Sequence, residues 1–292
     1  MDIVSVIDRC IRALTLLHDG TSRVYQQSGF DQRPGSIADK EILSATNKQI
    51  LLTAYDQGGV LIEVVADESM AFAKTLTNPV QTIAPWIIAR STIESAALGC
   101  WLLDASIDHT SRIARSYALR YEGLLQQEKY ARSENQKQIA DSVTDRINKT
   151  EAQAIALGYP PIQNKKGRCI GIGQAMPSMT DIVNDVLHMQ GIYRLLSATV
   201  HAHFWALKNL SFDLMPAAQI PPGTDTQSGV KVHLMQKALQ PIPVLSVTTT
   251  IISCFVRLVW AKFLLFGWDT AELITIFEGV YDLQGLVQRF WR

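Results

Sequence analysis

VQTIAPWIIARSTIESAALGCWLL, residues 80–103, is apolar nearly all round when wound as a helix, with Arg90 and Glu94 its only charged members. A helix with no polar face has no side to offer water, so it belongs among other helices. The segment therefore points to an all-α, multi-helix bundle and supplies its central helix.

Working outward, residues 36–77 carry a helical pattern with Ser36 and Asp39 as caps and Gly58-Gly59 as an interruption. Upstream of them Arg33-Pro34-Gly35 breaks the chain, and a weak first helix ends near Asp19-Gly20. Downstream, Asp108-His109-Thr110 opens a long, charged, heptad-like helix that runs past Asn148 with room for one break. Ile113, Tyr117, Tyr121, Leu124 and Leu125 supply its apolar side. Residues 158–177, rich in glycine, proline and cations, read as a first irregular loop, after which Ser178 or Thr180 caps a helix from Asp181 to Leu210. A second irregular segment, 216–243, contains Pro221-Pro222-Gly223 and a short alternating stretch, Val230 to Leu234, that reads as a strand. Two last helices flank Gly267-Trp268-Asp269. The expected organisation is one helical domain over 1–292, with a core bundle of about 36–210 and C-terminal helices of about 244–292 packed on it.

Composition narrows the functional classes. Nearly half of the 292 residues (47%) are apolar, enough to bury a core. The 27 Lys and Arg cancel the 27 Asp and Glu, so no bulk field draws the molecule to nucleic acid or to a membrane, and any such reading must rest on a local site. Cys10, Cys100, Cys169 and Cys254 lie far apart with no C-x-x-C pair, the pattern of reduced thiols in a cytoplasmic protein and not of a zinc site or disulfide framework. Asp2, Asp8, Arg9 and Arg12 interrupt the N-terminal apolar run, unlike a secretory signal. Arg257 and Lys262 interrupt the run 244–268, and a charge at mid-bilayer costs about 2.5–3.5 kcal/mol, so a buried helix is expected there and no membrane contact. Gly171-x-Gly173 lacks a third glycine and no phosphate-loop motif exists, which excludes those nucleotide folds; no metal or cofactor is expected. Asp104, Asp108 and His109 read as a helix-end capping cluster.

The most informative stretch is Tyr193-Arg194-Leu195-Leu196-Ser197-Ala198-Thr199-Val200-His201-Ala202-His203. Positions seven apart on a helix differ by only about 20° in direction, so Arg194 and His201 share a face with Ser197 between them, and Gln190 and Lys208 fall near the same stripe. On the central helix Arg90 and Glu94, four apart, form a second pair: either an ion pair that fixes helix register, or a support in which Glu94 orients Arg194 or His201. A third group interleaves cations and aromatics: Arg112, Arg115, Tyr117, Arg120, Tyr121, Lys129, Tyr130 and Arg132. Glu122, Glu128 and Glu134 dilute it, and a solvated bundle face is its simpler reading.

The arginine followed within one helix by a histidine resembles the R-x(4–6)-H signature of the HEPN superfamily of helical nucleases and nucleotide-binding proteins. The segment is also similar to bacterial helical proteins in which an arginine and a glutamate on an earlier helix accompany Tyr-Arg-x-x-Ser-x-x-x-His, as Arg90, Glu94, Tyr193, Arg194, Ser197 and His201 do here. The likeness covers roughly residues 80–210. It implies a metal-independent ribonuclease, homodimeric, acting on RNA as a toxin or in phage defence, with a cognate protein partner. His201 and Arg194 would be its catalytic pair and Ser197 and Glu94 their support, while Arg90, Tyr193, Lys208, Arg115 and Arg120 would contact substrate. Leu195 stands where active members often carry a polar residue, which leaves a second reading: a non-catalytic binding or self-associating scaffold on a degenerate HEPN-like bundle.

Overall fold

The computed structural model describes residues 2–27, 32–78, 82–214 and 235–288, and the expected strand at 230–234 lies outside them. Among the described residues the architecture is an all-α bundle: α1 (Ile3–Gln27), α2 (Ile37–Ser44), α3 (Lys48–Leu76), α4 (Ala84–Leu102), α5 (His109–Ser133), α6 (Lys137–Ala156), α7 (Met179–Ile182), α8 (Gln190–Val200), α9 (Phe204–Ser211), α10 (Pro241–Phe266) and α11 (Ala271–Gln288). A single π-helical turn, Val183–Leu187, joins α7 to α8.

The all-apolar segment is the centre of the molecule. Pro85 opens α4 where its missing N–H is no loss, and Trp86, Ala89, Ile93, Ala96, Ala97 and Leu102 are fully buried. Helix α4 packs against α3, α10, α8, α7, α5 and the π turn. The second apolar helix, α10, lies against α4, α1, α3, α2 and α11. It is long and apolar enough to cross a membrane, yet half of its most apolar window is buried by neighbouring helices. The apolar surface of α4 and α10 is thus covered to a large extent within the chain itself. One contiguous core draws on residues from Val6 in α1 to Val280 in α11, and α10 contributes to it as the buried helix expected from its sequence.

Two glycines expected to end helices lie inside them, because they permit close packing. A side chain on Gly20 would come within 2.9 Å of Ile276, so α1 continues to Gln27 with α11 seated against it. A Cβ on Gly58 would lie 2.5 Å from fully buried Leu103, so α3 runs unbroken through Gly58-Gly59. The break falls instead at Ala45–Asn47, where Asn47 accepts from the Ile50 N–H, while Ser36 caps α2 by accepting from Asp39 N–H. Gly58→Ala is therefore expected to destabilise the protein by about 1–3 kcal/mol through overpacking, although alanine is the better helix former by about 1 kcal/mol. Urea denaturation measures it, and a stabilised variant would show that Leu103 has room to move.

The long charged stretch breaks once, at Asn135 in the left-handed conformation (φ 56°), and α5 and α6 pack on each other. The loop expected at 158–177 contains a small antiparallel sheet, β1 (Pro161–Gln163), β2 (Cys169–Ile172) and β3 (Gln174–Ala175), which packs on α5. Glycine and proline density hid these short strands; Asn164 makes their first turn by accepting from the N–H groups of Lys166 and Arg168. A further pair, β4 (Phe212–Leu214) and β5 (Met235–Lys237), is antiparallel.

Candidate functional site

The helix expected from Asp181 to Leu210 is divided twice. Ser178 caps its start, the π turn ends at His188 (φ 56°), and α8 stops at Val200. There the His203 N–H donates to Ala198 O (2.9 Å) and the Ala202 N–H to Thr199 O (3.0 Å), the paired bonds of a left-handed helix stop, with Ala202 at φ 55°. Glycine is the usual residue at that position, so the sequence carries no sign of the corner. Its consequence is that Lys208 sits on α9, off the α8 stripe, and His201 is the C-cap residue of α8.

Tyr193, Leu196 and Thr199 form the buried face of α8. Ser197 is half-buried on the other side, and Arg194 and His201 are exposed. Neither the Arg194 guanidinium nor the His201 imidazole has a hydrogen bond or ion pair among the described residues. Phe204 and Trp205, which sequence reasoning passed over, begin α9 directly after the corner with 69% and 54% of their surface exposed. From residue 186 to residue 212 there is no Asp or Glu, while His188, Arg194, His201, His203 and Lys208 fall within that span. The carboxylate gap was legible in the sequence; the exposure of the aromatics was not, because a continuous helix would have placed them differently.

The Arg90–Glu94 pair lies beneath this surface and looks away from it. Arg90 Nε is 3.0 Å from Glu94 Oε1, and the Tyr193 hydroxyl donates to the same oxygen (2.7 Å), with the Arg90 guanidinium 5.8 Å from the Tyr193 ring centre. Glu94 thus ties α8 to α4 through Tyr193. Of the two readings of the pair, the register-fixing contact is the one present, and no bond joins Glu94 to Arg194 or His201. Burial, together with the Glu94 carboxylate, pushes the Tyr193 phenol up from its ordinary value. Glu68 on α3 accepts from Ser91 beside them, and burial raises its carboxyl above the usual range against the opposing pull of the Ser91 and Ser95 hydroxyls.

No family model, curated protein or solved structure matches this chain. The residues themselves carry the functional argument.

The interleaved cation–aromatic group of α5 does not form one face. Arg112 is fully buried, its Nε and Nη2 each 3.0 Å from a Glu41 oxygen and its Nη1 2.7 Å from Leu102 O. Arg115, expected to touch substrate, turns inward to Trp101 O and to Asp104 (3.5 Å), with its guanidinium 5.1 Å from the Trp101 ring centre. Tyr117 and Tyr121 are buried, whereas Arg120, Lys129, Tyr130 and Arg132 remain exposed, and Arg132 is held by Glu128 at 2.7 Å. The physical reason is that Arg112 and Arg115 serve the open carbonyl end of α4, where cations are favoured. At the mouth of α5, Asp108 accepts from Ser111 N–H (2.7 Å) and Asp104 from Ser106 N–H (2.9 Å), which accounts for both carboxylates as caps and turn partners.

Proposed function

We propose that the α8–α9 corner is the active surface of a HEPN-like, metal-independent ribonuclease, with His201 and Arg194 as its working pair. The supporting observation is that both side chains are exposed on the open side of α8 with no partner among the described residues, in a stretch free of carboxylates. The structural alternative, an ion pair of Arg194 with Glu94, is not formed, because Glu94 is held by Arg90 and Tyr193. Polyanions favour such a surface because no adjacent acid competes for the cations.

In the proposed reaction the ribose 2′-oxygen bonds to phosphorus as the bond to the 5′-oxygen breaks, leaving a cyclic phosphate and a free hydroxyl. His201 takes the 2′-hydroxyl proton while water protonates the leaving 5′-oxygen, and the imidazolium then returns its proton to solvent, work suited to an imidazole. Arg194 holds the phosphate through its planar donors. The two residues sit seven positions apart, about 10 Å along the helix, so the long arginine side chain must lean toward the imidazole or meet one from a second copy. A homodimer is part of the proposal for that reason, as is the role in toxin or phage-defence systems, with a cognate protein partner, that the family resemblance implies. Glu94 acts through Tyr193 by seating α8 and is a positioning residue.

The test is incubation of labelled total RNA and tRNA with the protein in EDTA. Cleavage that falls about 100- to 10,000-fold in His201→Ala, with unchanged helical circular dichroism, is the expected result. Absence of cleavage by the unsubstituted protein would move the assignment to a non-cleaving binding protein on the same bundle.

A further inference from the structure

We infer that Phe204 and Trp205 form a stacking platform for an unpaired nucleobase beside His201, so that this surface selects single-stranded over duplex RNA. The inference rests on the RNA reading above and adds the residues that set its specificity.

Two large aromatic side chains at consecutive positions, more than half exposed, stand at the first turn of α9. Neither has a ring contact, hydrogen bond or cation above it among the described residues. Elsewhere in the bundle aromatic rings are spent on one another: Tyr25, Phe263 and Phe266 on Trp268, Tyr55 on Phe266, and Tyr117 on Tyr159. Phe204 and Trp205 stay outside these contacts, as Tyr130 does on α5, and they alone of the three stand side by side in the chain. What surrounds them decides the occupant. Cationic or ionisable side chains at His201, His203 and Lys208 lie within four residues of the pair, and the nearest acids in sequence are Asp185 and Asp213. Of the acids on adjoining elements, Asp181 is engaged by Ser178, Asp185 accepts from the Asn184 amide at 3.4 Å, Glu94 is held by Arg90 and Tyr193, and Asp213 lies on β4. Exposed rings in a stretch of chain that carries Lys208 and two imidazoles and no carboxylate match a ligand that alternates flat π faces with negative charge, which is a single nucleic-acid strand. A duplex hides its base faces and would meet only the cations.

The left-handed corner at Ala202 gives the arrangement its shape. It ends α8 at His201 and lets α9 start at Phe204, so the aromatic pair follows the histidine directly across the corner.

The experiment measures fluorescence anisotropy of a fluorescein-labelled, 12-nucleotide 2′-O-methyl RNA, which cannot be cleaved, alone and annealed to its complement. Unsubstituted protein is expected to bind the single strand more tightly. Trp205→Ala is expected to weaken that binding between about 5-fold and 100-fold and to leave the duplex affinity nearly unchanged, while Trp205→Tyr retains it. Single-strand binding that is indifferent to both Trp205→Ala and Phe204→Ala overturns the platform and leaves the RNA reading standing. Failure to bind either probe overturns both. Dissociation of a dimer by Trp205→Ala in sedimentation, with RNA affinity intact, reassigns the rings to contact between copies.

Discussion

Glu41→Ala is expected to destabilise the protein by about 3–5 kcal/mol, the typical effect of leaving a buried charge without its partner. Glu41 on α2 grips Arg112 on α5 through both oxygens and also accepts the Tyr55 hydroxyl of α3 at 2.6 Å, so three helices share one carboxylate. Arg112 has no exposed surface and cannot turn to water when the carboxylate is removed. Its remaining bonds, to the main-chain oxygens of Leu102, Asp104 (3.1 Å) and Ile107 (3.5 Å), satisfy hydrogens without neutralising the charge. Burial and the nearby carboxylate together push the Tyr55 phenol far up from its ordinary value, so it remains a donor at any pH the fold survives. Chemical denaturation with a double-mutant cycle separates the parts. Glu41→Leu combined with Arg112→Met should recover most of the loss, though not all of it, since the carbonyls at the end of α4 lose their cap. If Glu41→Ala unfolds at the same denaturant concentration as the unsubstituted protein, the pair is not fixed in the folded state.

Lys262→Met is expected to stabilise the protein by about 2–4 kcal/mol at pH 7, a gain that shrinks as the pH approaches 10. Lys262 is 6% exposed on α10, with its ammonium 3.6 Å from the Phe266 ring centre. Burial brings its pKa down to about 7, against a partial opposing pull from Asp56. In the unfolded chain the amine titrates near 10.4. Between those values the unfolded chain binds a proton that the folded protein does not, so the lysine's contribution to stability rises with pH across that window. Below about pH 7 both states are protonated and the penalty stays at its maximum. Methionine has similar reach and no charge, so it removes the penalty wherever it exists. Urea unfolding of both proteins at pH 7 and pH 9.5 gives the comparison; a variant less stable at both would mean that the contact with Phe266 and the field of Asp56 outweigh burial.

The fold class was legible in residues 80–103 because a stretch without a polar face admits few settings, and α4 is the hub. Breaks were legible where a residue changes what the backbone can do, as at Pro34-Gly35 and Gly267-Trp268. They were not where tertiary packing decides. Gly20 and Gly58 look like stops and are contact points for Ile276 and Leu103, and Ala202 looks like a helix former and is a corner. In the candidate site, helical spacing gives Arg194 and His201 a common direction but not their exposure, which depends on how α8 seats on α4. The partner of Glu94 did not, because Tyr193 and Arg194 are adjacent and only the orientation of α8 against α4 chooses between them. Arg112 was misread for a related reason: a charged residue is exposed by default, and its exception lay 71 positions away at Glu41.

The contact between α4 and α10 also fixes an order of events during synthesis. Helix α4 ends at Leu102 and α10 begins at Pro241, so the central apolar helix is made roughly 140 residues before the helix that covers much of it. At about 5–20 residues per second the delay is on the order of ten to thirty seconds. For that interval α4 has α3, α5 and α8 available to it while the flank that α10 covers stays bare, so a pause before residue 241 prolongs the exposure of apolar surface at the centre of the fold.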